Sequence, residues 1–470
     1  MNDRVAARRP PKTAIWGKMA ALMALPAALL VRGWWSAYLA LRLRGQAALP
    51  FKPLISHERE RDRRVRDMIA YAYRFVPYYR ATLDRLKLRP ADFRGAADLA
   101  QLPIIEREQV QHTPDDFVST QRPGDHYLRL RTGGSTGAPR TIYWDARGLF
   151  LARALYERER VLLTRLIGRP HGYRHVSIGS PLSSGLEIQH FMHAHSLKPR
   201  RLTIQRHHLS LFDPPEKNWA LIEQLRPAVV QGYGSYLDVL FAYVRQTGPG
   251  DYRPHAVVYS SDNLSPATRR WLETDFGVPV FSSYQAIEAL RIGFECDRHT
   301  GLHLHLDTCP VRVVDAAGRD QPIGVSGDVI VSNLINRGTV LLNYRLGDLA
   351  ALLPGDCACG RTLPRLSQPL GRTDDWLRLA DGRRLHPQAI RIIFTDEQHV
   401  WQYQVTQHSP AHYGIALVAS PEVDRAALLA RLSEKFTSTC GPDLRLEFSF
   451  VAEVPRTAHG KVRPIISQTR

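Results

Sequence analysis

The chain has 470 residues, of which 44% are hydrophobic, and a formal net charge of +18. A chain of this length and composition is expected to fold into two or three domains, which excludes a disordered protein and a single small core. Its five cysteines are too few for a disulfide scaffold and indicate a reducing compartment.

The positive charge lies mainly at the N-terminal end of the chain. Residues 1–90 contain 19 Lys and Arg against 6 Asp and Glu, so this first fifth carries +13 of the net +18. A basic end indicates an acidic partner, either anionic lipid or nucleic acid. Because the segment lacks the interleaved surface aromatic residues and zinc modules of nucleic-acid-binding proteins, we expect no nucleic-acid partner.

An apolar run of 13 residues occupies positions 19–31. It is too short to span a bilayer, and Trp34 and Trp35 follow where a signal peptide would have small cleavage-site residues. We predict a helix that either lies on a membrane surface or packs against the main body, within a basic amphipathic extension at residues 1–56. The expected location is the cytoplasm, and peripheral contact of this extension with the anionic inner face of the membrane stays open.

Residues 131–140 form a loop rich in glycine and hydroxyl residues between two predicted strands, at residues 125–130 and 141–144. The GxxxxGK[ST] pattern is absent, which argues against a Walker-type NTPase. Glycines let backbone N–H groups approach an anion, and Arg140 adds charge, so the loop suits a polyphosphate, although a plain surface turn has the same composition. The phosphate-binding candidates are Thr132, Gly133, Gly134, Ser135, Thr136 and Gly137.

Strand and helix patterns alternate from residue 148 to residue 281, which is typical of a largely parallel sheet covered by helices. After residue 300, short strands separated by turns indicate a β-rich subdomain at about 300–370. We therefore predict an α/β fold with two domains after the extension. The N-terminal domain, residues 57–373, has mixed sheets covered by helices, and residues 374–470 form a small α+β domain.

Five further polar turns follow predicted strands or lie near a predicted boundary. They are residues 259–262, 283–288, 344–348, 371–375 and 456–461. Open α/β sheets bind ligands where their strands end. An aromatic ring beside a carboxylate, as in Tyr284 and Glu288, can stack on a base and hold Mg²⁺, and Asp348 suits two ribose hydroxyls. Each segment alone also fits a plain turn or a solvated charge.

The order of these pieces, from the loop at 131–140 to Lys461, resembles the adenylate-forming ligase superfamily. Within it, the chain is similar to the branch of phenylacetate–CoA ligases, coenzyme F390 synthetases and capsular polysaccharide biosynthesis proteins, over most of residues 60–470. The resemblance implies a large N-terminal domain with a small mobile C-terminal domain. It also implies an ATP-dependent enzyme that converts a small carboxylic acid to an acyl-adenylate, releases pyrophosphate and transfers the acyl group to CoA or another thiol.

The resemblance implies a role for each site residue. The loop at 132–137 would cradle the ATP phosphates. Glu288 and Lys461 would be catalytic, because Mg²⁺ on Glu288 and the ammonium of Lys461 neutralise charge on the phosphoryl oxygens. Asp374 would be the hinge about which the small domain rotates to admit the thiol. The nucleoside would be bound by Ser260, Ser261 and Asp262 at the adenine, Tyr284 stacked beside it, and Asp348 with Arg372 at the ribose.

Residues 284–288 depart from the family pattern Tyr-Gly-x-Ser/Thr-Glu, because Gln285 replaces the glycine and Ile287 the hydroxyl residue. The missing hydroxyl removes a phosphate or carboxylate contact, and Gln285 is expected to crowd the acyl pocket. The departure puts the usual aryl substrate in doubt, while Glu288, Asp348 and Lys461 remain for adenylation. The histidines expected at the rim of that pocket are His190, His193 and His195.

Three cysteines and a histidine form a second constellation. They are Cys296, His303, Cys357 and Cys359. Three thiolates and one imidazole make a closed tetrahedral zinc set, although four unrelated buried residues would give the same spacing. The resemblance implies a structural zinc that fastens the β-subdomain to the loop after Glu288. His305 is a substitute ligand, and Cys309 and Cys440 are expected to be ordinary buried thiols.

Two other functions stay open. The acyl acceptor could be an amine or a hydroxyl in cell-envelope polysaccharide or natural-product assembly, with the basic N-terminal segment holding the enzyme at the membrane. Alternatively, the altered residues 284–288 could mark a catalytically inactive member that binds a nucleotide. Pyrophosphate release with a panel of acids separates the inactive protein from the enzymes, and thioester formation on addition of CoA separates the two enzymes.

Overall fold

The computed structural model describes residues 29–469, apart from residues 132–139, 182, 198–202, 249, 370–376, 386, 395, 398 and 457–461. The helices are α1 (helical residues 29–43), α2 (Leu54–Phe75), α3 (Pro77–Leu86), α4 (Arg107–His112), α5 (Ala146–Leu155), α6 (Glu157–Ile167), α7 (Ser184–His195), α8 (Pro215–Leu225), α9 (Gly234–Thr247), α10 (Pro266–Thr274), α11 (Pro387–Ile393) and α12 (Arg425–Cys440).

The strands begin with a hairpin and end with the C-terminal sheet. They are β1 (Leu128–Arg131), β2 (Thr141–Trp144), β3 (Arg174–Gly179), β4 (Gln205–Ser210), β5 (Val229–Tyr233), β6 (Ala256–Ser260), β7 (Val280–Tyr284), β8 (Gly293–Glu295), β9 (Leu302–Leu304), β10 (Val311–Val314), β11 (Gly327–Val331), β12 (Tyr344–Ala350), β13 (Leu352–Leu353), β14 (Arg365–Leu366), β15 (Leu377–Arg378), β16 (Arg384–Leu385), β17 (Val400–Ser409), β18 (His412–Ala419), β19 (Arg445–Phe450) and β20 (Ile465–Ser467).

The largest sheet has nine strands in the order β13-β14-β9-β8-β7-β6-β5-β3-β4. Strands β4, β3, β5, β6 and β7 are neighbours in that order and are parallel to one another. The strands on the other side of β7 pair antiparallel. Helices cover both faces of the parallel part, so its inner strand β6 is buried and apolar along most of its length. In β6, Val257 and Tyr259 enter a core with α8, α9 and α10, whereas Ala256 and Val258 enter another with α6. The predicted parallel sheet covered by helices is thus confirmed.

A third apolar core joins α2, α3 and α5 to the three-stranded antiparallel sheet β10-β11-β12. The hairpin β1-β2 packs into the same core, with Leu130, Ile142 and Trp144 fully buried. Arg131 pairs with Thr141, so the glycine-rich segment does connect two antiparallel strands, as predicted. Short antiparallel strands follow residue 300, and the α/β class with mixed sheets is confirmed.

The C-terminal part contains a four-stranded sheet in the order β19-β18-β17-β20. Strands β17 and β18 are antiparallel, while β20 and β19 pair parallel to them on either side. Helices α11 and α12 close one face of this sheet, with Leu428, Leu432 and Phe436 of α12 fully buried. Spacing of three to four residues places these three side chains on one helix face, and Asp424 caps the helix by accepting from the N–H of Ala427.

Helix α1 packs against the main body through one face. Trp35 stacks on Phe150 of α5 with ring centroids 4.8 Å apart, and Leu39 is buried beside Met192 of α7. Arg32 donates to the carbonyl of Ser196 over 3.2 Å. This face of α1 therefore packs against the main body, which is one of the two predicted arrangements. Among the helices of the described residues, none combines the length and apolarity needed to cross a bilayer.

Candidate active site

A cavity of about 460 Å³ opens where the parallel strands β5, β6 and β7 end. Its volume is that of a small-molecule site, and the carboxyl edge is where open α/β sheets bind ligands. The predicted site residues that line it are Ser260, Ser261, Asp262, Tyr284, Glu288 and Asp348. The other residues predicted for ATP binding, catalysis and the hinge lie outside the described part of the chain: Thr132, Gly133, Gly134, Ser135, Thr136, Gly137, Arg372, Asp374 and Lys461. Their roles stay predictions.

The residues that flank two of these segments line the same cavity. Arg131 and Arg140, on either side of the glycine-rich segment, both belong to its wall. The hydroxyl of Ser184, at the start of α7, donates to the carbonyl of Arg131 over 3.0 Å. Val462, the residue after Lys461, lines the cavity together with Arg463 and Pro464. The described residues that flank the polar loop and Lys461 therefore line one cavity, although more than 300 positions separate them in the chain.

The start of α9 holds the turn after β6 in place. Ser235 donates to the carboxylate of Asp262 from its backbone N–H over 3.1 Å and from its hydroxyl over 2.6 Å. Gly234 permits this approach, because a Cβ atom there would lie 2.3 Å from the backbone of Asn263. Ser261 has a φ of +74°, a left-handed conformation that is costly for a residue other than glycine and is concentrated at binding sites.

Tyr284 and Asp348 form a hydrogen-bonded pair at the cavity wall. The hydroxyl of Tyr284 donates to Oδ2 of Asp348 over 2.7 Å. Burial and the neighbouring Asp348 carboxylate raise the pKa of Tyr284 well above its usual value, so the phenol keeps its proton and remains a donor. The bond fixes a nearly buried aromatic ring next to a carboxylate, so the pair offers a flat surface for stacking beside a hydrogen-bond acceptor.

The Glu288 carboxylate is 6% exposed and contacts two groups. Nη2 of Arg140 lies 3.1 Å from its Oε1, and the hydroxyl of Tyr344 donates to the same oxygen over 3.3 Å. Burial and the Glu288 charge raise the pKa of Tyr344 far above its usual value, so this hydroxyl also remains a donor. Glu288 thus forms an ion pair with Arg140 at the cavity wall and accepts a second hydrogen bond from Tyr344.

Two residues that sequence analysis missed position the backbone at Glu288. Nε1 of Trp144 donates to the carbonyl of Ile287 over 2.9 Å, and Nδ2 of Asn333 donates to the carbonyl of Glu288 over 2.8 Å. Local patterns cannot find these contacts, because the partners are 143 and 45 positions apart. For Tyr344 a signal did exist, since it opens the turn at 344–348 that was singled out for Asp348.

The side chain of Gln285 bonds to a buried polar network beside the cavity. Its Nε2 donates to Oγ of Ser283 over 2.9 Å, and Ser283 donates to Glu159 over 2.8 Å. Glu159 also pairs with Arg291 at 3.2 Å and lies 3.6 Å from Nε2 of His305. The prediction of His305 as a substitute metal ligand is therefore wrong, because its imidazole is held by α6 and not by the cysteines.

The histidines of α7 do not line the cavity. The residues of α7 that do so are Ser184, Gly185 and Ile188, at the start of the helix. His195 lies at its far end, where Nδ1 contacts the carbonyl of Phe191 at 2.8 Å. The expectation that His190, His193 and His195 form the rim of the acyl pocket stays a prediction, and the α7 residues that line the described cavity come from the other end of the helix.

Cys296, His303, Cys357 and Cys359 come together as predicted, with all ligand atoms within 4.8 Å of one another. The Sγ atoms of Cys296 and Cys357 are 3.7 Å apart, and Nε2 of His303 is 3.3 Å from Sγ of Cys359. Thiolates that share a tetrahedral zinc at about 2.3 Å stand roughly 3.8 Å apart, so the spacing fits such an ion.

The backbone around this cluster supports its geometry. His303 directs Nδ1 to the carbonyl of Leu363 at 3.3 Å, which leaves Nε2 on the cysteine side. Burial lowers the pKa of His303 to about 4, so the imidazole is neutral, as a metal ligand must be. The turn between the first two ligands needs Gly301, because it has a φ of +110° and a Cβ atom would meet the carbonyl oxygen of Leu366 at 2.8 Å.

The C-terminal part touches the start of α9 beside the cavity. Nε2 of Gln402 in β17 donates to the carbonyl of Ser235 over 2.8 Å, and the contact is buried. Nη1 of Arg456 lies 3.4 Å from Oγ of Ser235, and Arg456 also pairs with Val462 in an isolated bridge. Ser235 is therefore shared between Asp262, at the end of β6, and two residues of the C-terminal part.

The fold of this chain is similar to that of CoA ligases of known structure. The chain superimposes on 2-hydroxyisobutyryl-CoA ligase, in the post-adenylation state in complex with 2-HIB-AMP, with a TM-score of 0.73 and 18% identity over 89% of this chain and 91% of that chain. The same ligase with 2-HIB-AMP and CoA, in the thioesterification state, gives a TM-score of 0.60 at 19% identity over 88% of this chain and 90% of that chain.

The chain also has relatives that are similar in sequence. Phenylacetate-coenzyme A ligase of Thermus thermophilus is 26% identical over 391 residues, which are 82% of this chain and 83% of that protein. Protein CapK of Staphylococcus aureus is 21% identical over 387 residues, 80% of this chain and 81% of that protein. Residues 377–468 match the family model of the CapK C-terminal domain. The resemblance inferred from the order of the motifs is thereby confirmed.

Proposed function

We propose that this protein is an ATP-dependent acid–thiol ligase that converts a small carboxylic acid to an acyl-adenylate, releases pyrophosphate and transfers the acyl group to CoA. One observation carries the proposal. The residues that flank the glycine-rich segment and the lysine segment line a single cavity, together with Tyr284, Glu288 and Asp348. The phenylacetate–CoA ligases among the relatives support the same reaction.

The cavity residues divide between the nucleoside and the phosphates. Tyr284 would stack on the adenine, bordered by Ser260, Ser261 and Asp262, and Asp348 would accept from the ribose hydroxyls with Arg372 nearby. The backbone N–H groups and hydroxyls of residues 132–137 would bind the phosphates. Arg140 would add positive charge at the end of that loop, where it already pairs with Glu288.

The chemical step needs positive charge at the α-phosphoryl group. The substrate carboxylate attacks phosphorus in line, pyrophosphate leaves, and negative charge builds on the phosphoryl oxygens. Lys461 would neutralise part of that charge with its ammonium group. Glu288 fits a Mg²⁺ ligand, because it is a carboxylate at the cavity wall and such ions bind through one or two carboxylates plus substrate phosphates. When bound, Mg²⁺ would neutralise phosphate charge.

The thiol reaches the adenylate by movement of the small domain. We place the boundary between the domain at 57–373 and the domain at 374–470, with Asp374 as the hinge. Pro369 of the wall and β15 lie on either side of this boundary. The better superposition on the post-adenylation state than on the thioesterification state supports an adenylate-forming arrangement of the two parts. Rotation would then withdraw Lys461 and admit CoA.

The cysteine cluster would hold a structural zinc. Four protein ligands fill a tetrahedral site and leave no open position for substrate, so the ion would fasten the β8–β9 turn to the segment before β14 without taking part in the reaction. The described cysteines are all free, which supports the reducing environment of the cytoplasm. Elemental analysis of the purified protein tests the zinc: one ion per chain is expected, and a metal-free folded protein contradicts it.

A panel of acids with ATP tests the central proposal. Pyrophosphate release and an acyl-AMP product detected by mass are expected for at least one acid, followed by a thioester when CoA is added. Lys461→Ala should lower pyrophosphate release by about 100-fold or more. Lys217→Ala is the matched control, because Lys217 is an exposed lysine that pairs only locally with Asp213. Unchanged adenylation in Lys461→Ala would overturn the mechanism.

Transfer to an amine or hydroxyl in cell-envelope polysaccharide or natural-product assembly is the second candidate. The resemblance to the branch that includes capsular polysaccharide biosynthesis proteins supports it, and residues 377–468 match the family model of the CapK C-terminal domain. Acyl-AMP formation without thioester on addition of CoA, followed by discharge to an amine or alcohol, would support this function. If the protein binds ATP but no acid elicits pyrophosphate release, the remaining alternative, an inactive nucleotide-binding protein, is the correct one.

A further inference from the structure

Helix α1 presents an apolar face that no described residue covers. Leu30, Trp34 and Leu41 are 75%, 68% and 58% exposed. At 100° per residue these positions fall within roughly 40° of one another around the helix, and the buried Leu39 and the stacked Trp35 lie on the other side. The helix is therefore apolar on two faces, of which one is bound to the body and the other faces outward.

This exposure is concentrated in one part of the chain. Eight of the fifteen exposed large apolar side chains of the described residues lie between positions 29 and 55. Single exposed apolar residues are normal on a protein surface, but a contiguous group marks a surface that binds a membrane or another protein. The sequence before α1 continues the same character, since residues 19–31 are an unbroken apolar run.

The charge of the same segment selects the partner. Residues 1–56 contain nine Lys and Arg and a single acidic residue, Asp3. Arg44, in the turn after α1, and Lys52 are both exposed. Cationic residues beside an exposed apolar helix face match an anionic lipid surface, where apolar side chains enter the interface and the cations contact the headgroups. A second copy of the chain would bring equal positive charge to the contact, and nucleic acid would leave the apolar face uncovered.

We propose that the outer face of α1, defined by Leu30, Trp34 and Leu41, docks on the surface of an anionic lipid bilayer with the helix axis parallel to the membrane. The inner face stays packed on α5 and α7, so the folded enzyme itself lies against the bilayer. The attachment is peripheral. It is independent of the ligase chemistry, so membrane binding and adenylation can fail separately.

Co-sedimentation of the full chain with lipid vesicles tests the proposal. Binding is expected to vesicles of phosphatidylcholine with phosphatidylglycerol, to be much weaker with phosphatidylcholine alone, and to fall as salt is raised. The double variant Trp34→Ser with Leu41→Ser should lower the vesicle partition coefficient by about tenfold or more, because two exposed apolar side chains no longer enter the interface. Phe212→Ser with Ile323→Ser is the matched control, since these exposed apolar residues lie in other elements.

Quenching of tryptophan fluorescence by brominated lipid tests whether the outer face of α1 contacts the bilayer. Fluorescence of the wild-type chain should be quenched on binding, and Trp34→Phe, which keeps the face apolar, should still bind but lose that part of the quenching. Binding that is equal for the outer-face and control variants would overturn the proposal. A dimer that is seen by light scattering and is broken by Trp34→Ser would also overturn the proposal, because a second copy would then cover the face. A Trp34 emission that is already shifted to the blue without lipid would overturn it as well, because residues 1–28 would then cover the face.

Discussion

Gln402→Ala is expected to slow adenylate formation without unfolding the C-terminal part. The amide of Gln402 is buried, donates to the carbonyl of Ser235 at 2.8 Å and accepts from the N–H of Val454 at 3.4 Å. It thus ties β17 to the start of α9 and also to the segment that leads to Arg456. In the proposed domain rotation, this contact forms only when the small domain lies against the cavity. The substitution therefore destabilises that arrangement of the two domains.

The size of the effect follows from one neutral hydrogen bond. Such a bond contributes about 1 kcal/mol net, which is a factor of about five in an equilibrium constant. The seated population, and with it the rate of pyrophosphate release, should therefore fall by up to about fivefold in Gln402→Ala. Gln402→Glu should have a larger effect, because a carboxylate would face the carbonyl oxygen of Ser235 and repel it.

The assay separates the two half-reactions. Pyrophosphate release is measured with ATP and acid in a single turnover, and thioester formation is measured from supplied acyl-adenylate and CoA. The first rate should fall and the second should not, with the melting temperature unchanged. Gln468→Ala is the control, because Gln468 bonds to His408 within the same sheet at 2.9 Å. An equal fall in both rates, or the same effect in the control, would refute this reasoning.

Four other predictions follow from single contacts. Glu288→Gln should lower pyrophosphate release by about 100-fold and shift its Mg²⁺ dependence, and an unchanged Mg²⁺ titration would contradict the assignment. Cys359→Ser should lower zinc affinity by at least about 100-fold, while Cys309→Ala, outside the cluster, keeps full zinc content; equal zinc in both would rule out the site. Asp307→Asn should cost about 3–5 kcal/mol in urea unfolding, because it leaves the buried Arg158 without its carboxylate at 2.7 Å; a loss near zero would show that the pair is not needed. Burial raises the pKa of Asp238 from 3.8 to about 7, so the folded state holds this proton more tightly, and the contribution of this group to stability is greatest below pH 4 and declines as the pH rises from about 4 to about 7. Asp238→Asn should flatten that decline, and a slope equal to that of the wild type would refute the cause.

The sequence predicted those parts of the fold that depend on local pattern. The β-α-β alternation gave the parallel sheet, because buried strands and amphipathic helices have periods that can be read within a few residues. Turn residues at strand ends gave Asp262, Tyr284, Glu288 and Asp348, since parallel strands bring their carboxyl ends to one edge. Residue chemistry suggested the cysteine cluster, and the family resemblance favoured it over four unrelated buried residues.

Contacts between distant segments could not be predicted in this way. By sequence, His303 and His305 are equally suitable as the histidine ligand of the cysteine cluster. The structure distinguishes them, because Glu159 of α6 contacts His305. The pair of Arg140 with Glu288 joins positions 148 apart, and that of Gln402 with Ser235 joins positions 167 apart. For α1, periodicity allowed either packing against the body or contact with a membrane surface. In the structure, one face of the helix packs against the body and the opposite face is exposed.

Helix α7 has one end at each of the two surfaces proposed to bind ligands. Its first residue, Ser184, holds the carbonyl of Arg131 at the edge of the nucleotide cavity, and beyond its last turn the carbonyl of Ser196 accepts from Arg32 of α1. Seating α1 on a bilayer would therefore put the catalytic chamber one helix length from the lipid headgroups. An amphiphilic acid dissolved in the membrane could then be captured without first crossing bulk water, so that activity with such acids should rise in the presence of vesicles while activity with short water-soluble acids stays constant.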